Sequence, residues 1–389
     1  MKRSAMAMAA SLACYYGANA SAQSSVTLYG VVDTGIQYVN RMATISGTGS
    51  RIDMPSLGGL ASSRWGMRGS ENLGGGLSAF FWLENGFAPD NGNITPSATA
   101  GLFGRQAALG LNSTSYGKIS LGRQYTSLFD GVANFLPLRV AITYEPVAVA
   151  VGLAYREDNM LKYAVDFGAV HLGAHYSFGT GSALQGAQAS TIAGGEVPGN
   201  HRAQTGYGAT AYYLDKRFGL GVAYDETNPT ASATAPIGKN RMAAVGGTYS
   251  VGPAQLYAGY RYRNASFGNG VAQMRDDFFW TGIRYQATQR LNVAAAYYYD
   301  RVKRAAATSA DTPVSLPNFG QLTLLADYDL SKRTDVYITG AWSHNGALNY
   351  DSVIQSGGLF NYGLSSSLTG LQAGQKNMYG AMMGIRHVF

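Results

Sequence analysis

The stretch Ser62–Phe87, SSRWGMRGSENLGGGLSAFFWLENGF, decides the fold. Side chains alternate across a strand, so a strand here points Arg64, Gly66 and Arg68 one way and Trp65 and Met67 the other. After a turn over Asn72–Gly76, Ala79, Phe81 and Leu83 share one face, while Ser78, Phe80, Trp82 and Glu84 share the opposite one. Such period-two alternation marks a half-buried strand, and the two runs form a hairpin with one greasy and one polar face. In a soluble sheet the polar face is the outer, wet one. In a closed barrel set in lipid it is the inner one, and the rest of the chain decides between the two.

Composition narrows the choice. Only 13% of the 389 residues are charged, beside 51 glycines and 27 tyrosines. A soluble domain carries about 25% charged residues, so few charges with many aromatics argue against both disorder and an ordinary cytosolic surface. Lys2 and Arg3 precede the small, mostly apolar run Ala5–Ala13, and Ala20-Ser21-Ala22 offers an A-x-A cleavage site. Residues 1–22 therefore read as a secretory signal peptide, leaving one domain over 23–389. Ser11 stands where a lipoprotein signal wants an apolar residue ahead of Cys14, which disfavours lipidation. Cys14 is the only cysteine and leaves with the leader, which removes disulfide and thiolate chemistry. Loss of Lys2 and Arg3 takes the formal charge from +7 to +5. The remaining basic residues are single and mostly at strand spacing, so nucleic acid is not an expected partner.

Outside the leader no run approaches the roughly 18 consecutive apolar residues of a membrane helix. What recurs is a segment of about ten alternating residues closed by a turn or a Gly/Ser/Thr/Asn-rich loop, the pattern of a transmembrane barrel. The series opens with Val26–Asn40, where Leu28, Gly30, Val32 and Thr34 share one parity and Tyr29 and Asp33 the other, followed by a long loop to about Leu60. The opening hairpin comes next, then strands over Ala100–Asn112 and Lys118–Thr126. Short turns near Gly168–Ala169, Asp215–Phe218, Val251–Ala254, Ala287–Arg290 and Leu330–Thr334 alternate with long loops near Gly179–Ala203, Thr227–Lys239, Ser266–Arg275, Val302–Asn318 and Asn345–Lys376. The segments between them make sixteen strands. An even count, with short turns at one end and long loops at the other, predicts an all-β antiparallel barrel of the bacterial outer-membrane type, and closure pairs every backbone amide as lipid requires. Aromatics at strand ends, Tyr260, Tyr262, Tyr297, Tyr299 and Trp342, fit interfacial girdles. The last strand, Asn377–Phe389, carries Tyr379, Ala381, Met383, Ile385, His387 and Phe389 on one face.

Several stretches together resemble the general porins of β-proteobacteria: SSVTLYGVVDTGI, SRWGMRGSENLGGGLSAFFWLENGF, LFGRQAALGLNSTSYGKISLGRQY, DYDLSKRTDVYITGAW and the ending MGIRHVF. The resemblance spans Ser24–Phe389. It implies a water-filled, sixteen-stranded, homotrimeric barrel, narrowed by a third long loop folded into the lumen. It also implies that the terminal Phe389, with Tyr379 and Ile385 on its face, is a signal read by the β-barrel assembly machinery. Partners are then a second and third copy of the chain, outer-membrane lipid and lipopolysaccharide, and small ions and solutes. No cofactor or metal is expected. Two departures matter. Phe80 and Trp82 occupy a lumen parity that is usually polar, so either the pore wall is locally apolar or the rings pack under the inserted loop. That candidate loop, Ser127 to about Tyr155, is unusually apolar, and Glu145 is its only carboxylate after Gly131.

Pores select ions through side-chain charge at their narrowest point. Strand parity turns Arg64, Arg68, Arg105, Arg261, Arg263, Arg284 and Arg386 inward, with Tyr29, Asp33 and Trp82, since Arg on the lipid side costs about 2–4 kcal/mol at the midplane. Arg156 follows the inserted loop. The resemblance places Arg64, Arg105 and Arg156 at the constriction, with Glu84 as their acidic partner. With Arg68 and Glu145 added, the expected eyelet is net positive, and the expected function is a passive, anion-preferring channel for small hydrophilic solutes. Arg123 has ambiguous parity, and Arg139, inside the inserted loop, has no predicted direction. A substrate-specific channel is the nearest alternative. A barrel hydrolase would need a nucleophile beside an oriented His, which the five histidines do not supply, and no G-x-S-x-G is present. His171 and His175 are spaced like same-face strand residues and are the remaining metal candidates.

Overall fold

The computed structural model describes residues 25–44, 47–95, 101–152, 155–181, 195–230, 232, 234–348 and 374–389. The expected leader lies outside them, as do 182–194 and 349–373 within two of the long loops. Strands β1 (Ser25–Thr44), β2 (Gly47–Asp53), β3 (Arg64–Gly74), β4 (Leu77–Phe87), β5 (Ile94–Thr95), β6 (Gln106–Ser113), β7 (Gly117–Tyr125), β8 (Arg156–Phe167) and β9 (Val170–Ser177) build one side. The other side is β10 (Gly206–Leu214), β11 (Phe218–Thr227), β12 (Lys239–Val251), β13 (Ala254–Ser266), β14 (Ala272–Gln286), β15 (Leu291–Ala305), β16 (Phe319–Asp329), β17 (Thr334–His344) and β18 (Asn377–Val388). β2 and β5 are short strands inside connections; the remaining sixteen form a closed antiparallel barrel.

Closure is a β1–β18 pairing that runs from Val31↔Val388 to Val39↔Gly380, while the lower part of β1 pairs with β3 on its other edge. Phe389 completes the seam: its N–H donates to the Gly30 carbonyl at 3.0 Å and its carbonyl accepts from Gly30 N–H at 3.0 Å. Its ring covers Gly30 so closely that a Cβ there would lie 2.4 Å from it. The hairpin turn works because Gly74, Gly75 and Gly76 take φ of +86°, +60° and +80°, a run of left-handed backbone that only glycine adopts at little cost. The five predicted short turns fall between strand ends. The first long loop differs from expectation, since β1 continues to Thr44 and folds back as β2. The fourth strand of the wall, β6, begins at Gln106 rather than near Ala100.

Parity within the strands is as read from the sequence. Outward positions are apolar and open, including Leu28, Leu109, Leu121, Val222, Leu324 and Met383. The inserted loop, between β7 and β8, carries two short helices, Ser127–Val132 and Val147–Val151. Thr126 caps the first by accepting from Phe129 N–H at 3.3 Å. The apolar character of this loop has a physical partner: many of the inward positions of β11 to β18 that it meets are themselves small or apolar. Ala223, Ala244, Ala294, Ala296, Phe278, Trp280, Tyr298 and Met382 meet Leu128, Val132, Leu136, Ile142, Val147 and Val151 in one buried cluster. Each large side chain buried there contributes about 1.5–3 kcal/mol. Part of the lumen is thereby a hydrophobic core. Phe80 and Trp82 are not part of it, so they do not pack beneath the loop; the pore wall is locally apolar instead.

Candidate functional site

What the loop leaves open is a cavity of about 380 Å3 against β3, β4, β6, β7 and β8. Five guanidiniums line it, Arg64, Arg105, Arg139, Arg156 and Arg386, with Glu84 as the sole carboxylate among the described lining residues. Glu84 is 3% exposed and organises one wall. Its Oε1 accepts from Arg105 Nε at 2.7 Å, its Oε2 lies 3.6 Å from Arg64 Nε, and Tyr29 donates to Oε2 at 2.9 Å. Tyr29 in turn accepts from the Trp82 indole N–H. A single carboxylate therefore fixes two arginines and two aromatics.

Arg156 stands at the start of β8 between two rings, its guanidinium carbon 4.4 Å from the Tyr125 centroid and 4.6 Å from that of Tyr155. It donates to the Tyr125 hydroxyl at 2.7 Å, and Arg105 reaches the same oxygen at 3.3 Å. Tyr125 stacks on Phe129 at 4.1 Å, tying this wall to the first short helix. Arg139 enters from the loop side, exposed at a tip where it and Val140 take φ of +58° and +66°. Positive φ at a β-branched residue is a strained conformation, and here it turns the arginine toward the cavity. Strand parity has no bearing on Arg139, because only the loop's fold supplies its direction.

The other nominated residues divide. Arg68 is exposed on the lumen side, with its guanidinium 5.6 Å from the Tyr29 ring, but it does not line the cavity. Glu145, expected as an eyelet charge, is 1% exposed. It accepts from Leu138 N–H at 2.9 Å, Ala141 N–H at 3.1 Å and the Tyr298 hydroxyl at 2.7 Å, so it staples the loop tip rather than facing the pore. Burial pushes its carboxyl up, and the Tyr298 hydroxyl and those amides pull it back. Asp33 is likewise sequestered: it accepts from the amides of Gly59, Leu60 and Ala61 at 2.8–3.0 Å and from Tyr337 at 2.6 Å, drawing the first long loop inward.

Arg261 has the inward parity but no water. Fully buried, it donates twice to Val149 O, at 2.9 and 2.6 Å, and pairs with Asp276 at 2.8 Å, which pins the second helix to the far wall. Arg263 shares Asp276 at 2.7 Å. Arg284 points inward from β14 and is 8% exposed. Arg386 donates to Asp335 at 2.9 Å from its lumen position on β18. Arg123 pairs with Asp158 at 2.5 Å. Tyr379, Ile385 and Phe389 face outward, 47%, 45% and 42% exposed.

The two candidate metal histidines do not converge. His171 Nδ1 meets Asp166 at 2.6 Å, while His175 Nδ1 meets Ser127 Oγ at 2.8 Å. Asp327, Asp329 and Asp335 do lie close together near the β16–β17 turn, where Arg386 pairs with Asp335 and stands 3.7 Å from Asp327.

A wall of fixed guanidiniums facing a loop packed into the lumen is the geometry of a channel. Residues 5–348 match the family model described as Gram-negative porin. An outer membrane porin protein of Bordetella pertussis is 30% identical, over 90% of this chain and 97% of its own length. Outer membrane porin protein 32 of Delftia acidovorans is 29% identical over the whole of both chains. Among solved structures, the anion-selective porin from Comamonas acidovorans superposes with a TM-score of 0.71 at 24% identity, covering 94% of this chain and all of that one. The chain belongs to the Gram-negative porin family and is a passive channel of the outer membrane, not an enzyme.

Proposed function

We infer that this channel passes small anions in preference to cations, and that Arg64, Arg105, Arg139 and Arg156 with Glu84 form its selecting eyelet. One observation carries the reading: five arginines against one carboxylate line the cavity between wall and loop. Most of these guanidiniums are held by short bonds or stacked rings, so an entering anion meets donors already in place and needs little reorganisation of them. The similar Comamonas protein is an anion-selective porin, which agrees in sign. Arg68 lies outside the eyelet in this reading, and Glu145 serves it indirectly by holding the loop that carries Arg139.

Three further readings go with it. The chain works as a homotrimer, as the trimer form of a Vibrio cholerae relative does. Its outward C-terminal face, ending in Tyr379, Ile385 and Phe389, addresses the assembly machinery, while its outer surface meets lipid and lipopolysaccharide. Residues 1–22 are a cleaved leader. Reversal potentials across a planar bilayer under a potassium chloride gradient test the central claim: chloride preference is expected, and a potassium preference overturns it.

A further inference from the structure

Trp82 is a large ring where a channel for hydrated ions has no use for one. It projects inward from β4, borders the arginine-lined cavity, and keeps 36% of its surface open. Its one polar group is already engaged, because the indole N–H donates to Tyr29, which donates to Glu84. What remains toward the cavity is apolar. On the same cavity Arg156 is only 7% exposed: one terminal nitrogen donates to the Tyr125 hydroxyl at 2.7 Å, and its Nε, closed off from solvent, has no acceptor among the described residues. Its positive charge therefore acts on an anion in the cavity through the field rather than through a bond at that atom. Arg64 Nε, shared loosely with Glu84 at 3.6 Å on a side chain that is 28% exposed, offers the accessible point of contact. At about 380 Å3 the cavity falls in the range of small-molecule sites, which pair an apolar lining with a few aimed polar groups.

We propose that the cavity is a recognition site for small aromatic carboxylates, with the carboxylate on Arg64 in the field of Arg156 and the ring against Trp82. This rests on the anion-selective reading above and narrows it to a ligand class. An inorganic anion uses only the guanidiniums. A saturated carboxylate of equal size adds apolar contact, and an aromatic one adds the ring-to-ring term that offset or edge-to-face pairs gain. The Tyr29–Glu84 chain matters because it locks the indole before the ligand arrives, so no rotamer freedom is lost on binding.

The test titrates sodium benzoate and sodium cyclohexanecarboxylate against the chloride conductance of the full-length channel in planar bilayers. Benzoate is expected to halve the conductance at about three- to tenfold lower concentration. A Trp82→Leu channel, which keeps apolar bulk without the ring, is expected to bring the two within roughly twofold. Tyr29→Phe removes the oxygen that aims the indole and is expected to fall between; it provides a second variant should Trp82→Leu not assemble. If the wild-type channel prefers potassium, the anion-selective reading fails and this proposal with it. If chloride preference holds but the two carboxylates block equally, or Trp82→Leu keeps the benzoate preference, the proposal alone is overturned.

Discussion

Arg105→Ser and the pair Arg105→Ser with Glu84→Ser separate charge from organisation. The cavity lining carries five arginines and one glutamate, a formal +4. Arg105→Ser lowers this to +3, and adding Glu84→Ser restores +4. A unit charge about 4 Å from a passing ion in a water-like dielectric is worth about 1 kcal/mol, in opposite senses for chloride and potassium. After screening by salt, the single variant should therefore lower the chloride-to-potassium permeability ratio on the order of tenfold. It should also lose stability, because Glu84 is 3% exposed and forfeits its 2.7 Å partner. Breaking a buried pair from one side costs about 3–5 kcal/mol. The double variant removes both charges and should regain most of the selectivity and of the heat resistance. Reversal potential reads the first quantity, and the heat-denaturation midpoint followed by gel mobility reads the second. A single variant with wild-type selectivity, or a double variant no better than the single in either measurement, would refute the assignment of Glu84 as the organiser of this wall.

Three other perturbations act through the inserted loop and its neighbour. Arg261→Met removes both bonds to Val149 O and leaves Asp276 with Arg263; loss of about 1–3 kcal/mol of anchoring at the unsatisfied carbonyl should appear as flickering single-channel current with the mean selectivity kept. Asp33→Ala strips the acceptor from three amides and Tyr337, so the first long loop should become cleavable by protease in assembled protein, at about 1–3 kcal/mol per unsatisfied buried donor. Glu145→Gln sets an amide N–H2 against a backbone N–H donor and should raise channel noise. Because burial holds the folded Glu145 carboxyl above its unfolded range, the folded state binds the extra proton. The loop's stability therefore falls as pH rises through that interval, so noise should grow with pH in the wild type and lose that dependence in Glu145→Gln.

The barrel is legible in the chain because closure and parity are local. Alternation in Ser62–Phe87 and the order of short and long connections depend on neighbours a few residues apart, and the structure keeps them. Parity tells which side of the wall a residue faces, and nothing about what stands on that side. Arg64 and Arg261 read alike in sequence; one borders an open cavity, while the other is covered by Val149 from the inserted loop. Glu145 departs from its expected place for the same reason, since a lone carboxylate in an apolar loop becomes a staple as soon as the loop folds onto Tyr298. The inward alanines of β11, β12 and β15 are the signal that parity alone passes over. A row of small inward side chains makes no sense against water, but it leaves room for a second layer, and the apolar run 136–151 is that layer. The greasy loop and the small-residue wall therefore explain each other. Their contact pushes the water path onto the opposite wall, where the hairpin's polar face, Arg64, Trp82 and Glu84, stands. One hydrophobic packing decision thus gathers the guanidiniums and the exposed indole into the same cavity, and selectivity follows from where the core was built.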